Sequence, residues 1–153
     1  MKKSQKKTRT LSPAPTVGRS LRWRDESMEE NEFAKLKDGN WVLHKGISKK
    51  IKKHVFKAGD AAFVIFKGES IAVSRNDITP IPLSDTLLLK NGFVFDSKYN
   101  FYSKNNEKIC VSIAHDPNLL IGDGATTIEG NNNVHTLQNA YFTISQKELP
   151  ITL

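Results

Sequence analysis

Between Phe33 and Ser74 the chain is a succession of short apolar runs punctuated by glycine turns. Asp38 and Gly39 turn into a run through Trp41 and Leu43; Val55 and Phe56 lead to a turn at Gly59 and Asp60; residues 61–67 form a dense run that ends at Gly68; Ile71 and Val73 alternate in a last one. Stretches this short, separated by turn signals, suit strands and leave no room for long helices. The expected architecture here is a small antiparallel β-barrel or sheet.

Pro80 and Pro82 stop that sheet, because proline lacks a ladder donor and biases its predecessor toward extended backbone. Ser84 then offers an N-cap, Asp85 a first-turn anion, and Asn91 with Gly92 a C-terminal stop, which predicts a short helix over about 84–91. Residues 93–95, 99–102 and 108–114 read as a three-stranded meander, followed by a hairpin through 119–121 and 126–128. Asn133 caps a second helix, 134–145, in which Val134, Leu137, Tyr141 and Ile144 recur at helical spacing. The remainder, 148–153, reads as extended. The fold class expected is α+β, with residues 33–153 as one domain.

Residues 1–32 differ in kind. Lys2, Lys3, Lys6, Lys7, Arg9, Arg19, Arg22 and Arg24 stand in residues 1–24 without a single acid, a charge of +8 in a chain whose total is +7. The rest of the chain is therefore close to neutral, and calling the domain basic would be an error. Asp25, Glu26, Glu29, Glu30 and Glu32 follow at once, so the arm is basic and then acidic. With few apolar anchors it cannot offset its ordering entropy, and it is expected to be disordered when free. Leu21 and Trp23 among the arginines suit either stacking on bases or pinning the arm to the domain.

Three blocks carry a resemblance: Gly39-Asn40-Trp41, Pro80-Ile81-Pro82-Leu83 with Gly92-Phe93, and His135-x-Leu137-Gln138-Asn139-x-Tyr141-Phe142. Together they resemble a family of small uncharacterised proteins of Bacteroidetes genomes, their phages and mobile elements, over roughly 36–151. The resemblance implies relatedness and a phage or mobile-element setting, and it carries no activity. Members usually have glycine after the last helix, where Ser145 stands here, and the basic arm is outside the common pattern.

Chemical candidates are few. Cys110 is the only cysteine and lies in an alternating run, where a buried structural thiol is the expected reading. His44, His54, His115 and His135 lack metal-ligand spacing, and the loop 121–127 lacks the lysine of a phosphate loop. No metal or cofactor is expected, and no small-molecule substrate. His135, Gln138 and Asn139 form a polar stripe that suits a satisfied network joining helix to sheet, or base readout.

Lys45, Lys49, Lys50, Lys52, Lys53 and Lys57 form a second basic run without an intervening acid. Placed on a loop or hairpin, Lys49, Lys50, Lys52 and Lys53 would contact phosphates together with the arm cations and Trp23. The expected function is a non-enzymatic module binding nucleic acid or another polyanion. The alternative is a structural or assembly protein, a virion or packaged component, whose arm binds an acidic surface of a neighbouring protein. With no membrane-spanning run and no secretory signal, a cytoplasmic or virion location is expected.

Overall fold

The computed structural model describes residues 28–57, 61–104, 108–115 and 117–153. Residues 1–27, with all the arm cations and Trp23, lie outside them.

The chain enters as a single helical turn, α1 (Glu30–Phe33), and then forms β1 (Trp41–His44), β2 (Ile47–Lys57), β3 (Ala61–Phe66), β4 (Val73–Ser74) and β5 (Ile78–Thr79). These strands pair antiparallel in the order β4-β3-β2-β1-β5. The expected barrel or sheet is thus an open sheet: β4 pairs with β3, β5 pairs with β1, and the order does not close. Lys45 and Gly46 both have positive φ, 54° and 76°, and close a two-residue hairpin between β1 and β2. Such a primed turn matches the right-handed twist of the strands it joins.

Helix α2 (Asp85–Lys90) follows, capped as expected by Ser84, whose hydroxyl accepts from Leu87 N at 3.1 Å. Strands β6 (Phe93–Asp96), β7 (Phe101–Lys104), β8 (Cys110–His115), β9 (Asn118–Gly122) and β10 (Thr127–Asn131) then make one continuous meander, ordered β10-β9-β8-β7-β6. The expected meander and hairpin are therefore parts of a single five-stranded sheet. Helix α3 (Val134–Ser145) closes it, with Asn133 as N-cap bonded to Thr136 N. Among the described residues no helix is long and apolar enough to cross a membrane.

Each sheet has its own core. Met28, Phe33, Leu36, Val42, Ile51, Val64, Phe66 and Ile78 fill one between the first sheet and the entering chain. The second, under α2 and α3, is built on Leu88, Phe93, Val111, Leu119, Ile121, Leu137 and Tyr141. Strand β1 belongs to both: Val42 faces the first core, and its neighbours Trp41 and Leu43 pack against the second.

Three expectations need correction. Met28 and Glu32, placed in the arm by the expected boundary at residue 32, are packed on the domain: Met28 is 1% exposed, its N–H donates to Ile78 O at 2.9 Å and its carbonyl accepts from Arg75. The run through Ile71 is a strand only at Val73–Ser74, and Ile71 is 74% exposed, because β3 offers partners to those two residues alone. Cys110 is half-buried rather than buried, since the core side of β8 is taken by Val111.

Candidate nucleic-acid interface

The lysine run, expected on a loop or hairpin, is on a hairpin. It lies on β2, an 11-residue strand, and the strand's one irregularity decides where each lysine points. Ile51 pairs with Phe66, and Lys53 pairs with Ile65, so Lys52 is an extra residue in the ladder. A bulge of this kind reverses the in-out alternation of everything beyond it. Before the bulge, Lys49 and Ile51 share the face of Val42 and Phe66, which covers the first core. After it, His54 and Phe56 take that face, with the His54 ring 4.8 Å and the Phe56 ring 6.1 Å from Phe33.

The opposite face consequently gathers Lys50, Lys53, Val55 and Lys57 from β2. Directly paired residues share a face, so Ile65, Phe63 and Ala61 of β3 join them, and Lys67 follows Ile65 at the next outward position. Val55, Phe63 and Ile65 are half-buried yet belong to neither core. Lys53, Lys57 and Lys67 are exposed, Lys50 is half-buried, and no carboxylate stands on this face among the described residues. Lys52, exposed at the bulge itself, adds a further cation at the edge of the stripe.

Lys49 is separated from this set. Its ammonium lies 2.8 Å from Glu69 and 3.1 Å from His44 Nδ1, over the Phe66 ring. Of the domain lysines expected to meet phosphates, Lys53 lies on the uncovered face of β2 and β3, Lys50 at its half-buried border beside Trp41 and Lys52 at the bulge, while Lys49 is paired with Glu69. Sequence reading missed Phe63, Ile65 and Lys67 as companions. The available signal was the apolar alternation of Phe63 and Ile65 ahead of Lys67, but their pairing with the lysines depends on the bulge.

The polar stripe of α3 is a clamp. Gln138 accepts from Trp41 N at 2.9 Å and donates to Gly39 O at 3.2 Å. Asn139 exchanges hydrogen bonds with the Asn40 side chain and donates to Lys35 O at 3.0 Å. His135, fully buried, sets Nε2 3.1 Å from Glu32 Oε1; since a carboxylate only accepts, the ring proton is on Nε2. That contact holds the Glu32 carboxyl at about 2, against 4.5 ordinarily, overcoming the opposing effect of burial. The chain at Ile81 joins the same junction, accepting from Val134 N at 2.8 Å. The three sequence blocks quoted above thus converge on the N-terminal half of α3.

Two grooves flank this clamp, of about 280 and 300 Å³, one beside Phe142 and Glu148 and the other beside Ile128 and Thr143. In the loop after β9, Asp123 Oδ1 accepts from Ala125 N and Thr126 N, so its own carboxylate occupies the amides an anion would need. Those bonds, Thr126 first, hold the Asp123 carboxyl below its usual range. Among the described residues no group of three or more His, Cys, Asp or Glu side chains could hold a metal ion.

No protein-family model, curated protein or solved structure matches this chain.

Proposed function

We propose that the protein is a non-enzymatic binding module for nucleic acid, in the phage or mobile-element setting that the resemblance implies. The observation that carries this reading is the convergence of Lys50, Lys53, Lys57 and Lys67 on one face that bears no acid among the described residues. The arm cations Lys2, Lys3, Lys6, Lys7, Arg9, Arg19, Arg22 and Arg24 add a second, larger positive segment, with Trp23 available for stacking. Phosphates neutralised by these groups release counterions, so affinity falls steeply with salt.

The test is a salt titration of binding to random-sequence DNA and RNA by fluorescence anisotropy. We expect binding at low salt, a steep linear decline of log affinity with log salt, and a shallower slope when residues 1–24 are deleted. No binding at low salt, or a deletion without effect, would refute the proposal. The second reading is an assembly protein whose arm lies on an acidic protein surface, supported by the segregation of charge into the arm; a stoichiometric protein partner retained after nuclease treatment is its signature.

A further inference from the structure

We propose that the outward face of β2 and β3 is a platform for single-stranded nucleic acid, with Phe63 stacking a base and Lys53, Lys57 and Lys67, bordered by the half-buried Lys50, meeting the flanking phosphates. The inference rests on the nucleic-acid reading above and adds to it the form of the ligand and the surface.

The composition of the face discriminates between ligands. Lysines alone suit any polyanion, but here they border a stripe of Val55, Phe63 and Ile65 that neither core covers. A duplex presents phosphates outward and base edges at the bottom of grooves, and its major groove, about 12 Å wide, takes a helix or a two-stranded ribbon. The surface in question is the outward face of β2 and β3, whose Val55, Phe63 and Ile65 side chains offer base edges neither donor nor acceptor, so placing it in that groove would leave those edges without partners. Pressed against duplex phosphates instead, the apolar stripe would desolvate charge for no return. An unpaired strand removes that conflict, because its bases turn apolar π-faces toward the protein while its phosphates stay at the rim.

The bulge is what makes the arrangement. Without Lys52 as an extra residue, Lys53 and Val55 would stay in phase with Ile51 and point into the first core, and His54 and Phe56 would point out. An acidic peptide could satisfy the lysines but has no general use for Phe63, and it enters the test as a competitor.

The experiment uses the full chain and labelled oligothymidylate, oligouridylate and a duplex of equal length, with Phe63→Leu, Lys53→Glu and Lys67→Glu variants whose folding is checked by thermal unfolding. Phe63→Leu keeps the apolar volume and removes the aromatic face. We expect the single strands to bind more tightly than the duplex, and Phe63→Leu to lose about ten-fold or more in single-strand affinity with the duplex unaffected. Each lysine reversal should weaken single-strand binding and lower the salt slope. Equal binding of single strand and duplex with no effect of Phe63→Leu overturns this inference and leaves the general reading standing. Competition by polyglutamate as effective as by oligonucleotide also overturns it, and absence of binding to every probe overturns both. Should Phe63→Leu prove unstable, Phe63→Tyr, which keeps the ring, must retain the single-strand preference.

Discussion

Glu32 gives one carboxylate oxygen to His135 at 3.1 Å and the other to Lys35 at 3.1 Å. The two contacts are unequal. Lys35 is 61% exposed and its ion pair is screened, whereas His135 is 1% exposed, so the buried contact carries the coupling. The carboxyl pKa in the fold, lowered to about 2, lies below its value of 4.5 when unconstrained. The resulting stability is complete above the unfolded value and is lost as pH falls through the folded one, at most about 3 kcal/mol. Urea midpoints taken from about pH 5 down to about pH 2 should fall more for the native chain than for Glu32→Gln; parallel curves would show that the pair contributes nothing. Nothing local in the sequence marks this pair, because Glu32 sits in an acidic run that reads as solvated.

At the scale of elements, α3 lies unusually close to β10. A Cβ built at Gly130 would come 2.6 Å from Thr136 Cγ2, nearer than real side-chain atoms approach. Gly130→Ala should therefore force the helix off the sheet and cost about 1–3 kcal/mol by overpacking. In a Thr136→Ser background, which removes the methyl and keeps the hydroxyl that bonds Asn133 at 2.6 Å, most of that loss should be recovered. A double-mutant cycle in denaturant measures this, and additive costs would contradict the steric account. The helices themselves were legible, since Ser84 and Asn133 are caps whose chemistry acts within a few residues. The strands were legible as runs. The lysines were expected on a loop or a hairpin and lie on a hairpin; the sequence did not choose between the two because lysine is a poor strand former in isolation, and β2 owes its strand state to ladder bonds with β1 and β3.

For the whole molecule the question is what makes two sheets with two cores behave as one. Strand β1 is shared between the cores, and Gln138 ties its start to α3 through Trp41 N and Gly39 O. Replacing Gln138 by leucine keeps the volume and leaves both backbone groups without their partner, a cost of about 2–4 kcal/mol. Unfolding followed by Trp41 fluorescence in a Trp23→Phe background and by far-UV circular dichroism should coincide in the parent. It should separate or shift markedly in Gln138→Leu; a change below about 0.5 kcal/mol would remove Gln138 from this role.

What the sequence determined by itself was local: the α+β class, the caps and turns, the stop at Pro80 and Pro82, and the segregation of positive charge into the first 24 residues. These follow from interactions spanning a few residues, which the order of amino acids encodes directly. Only the tertiary structure decided that Lys49 is held by Glu69 while Lys50 and Lys53 share a face with Phe63, and that His135 meets Glu32. The reason is physical: one bulged residue reverses the phase of a strand, and a buried pair far apart in the chain is selected by packing, neither of which leaves a periodic trace in the sequence.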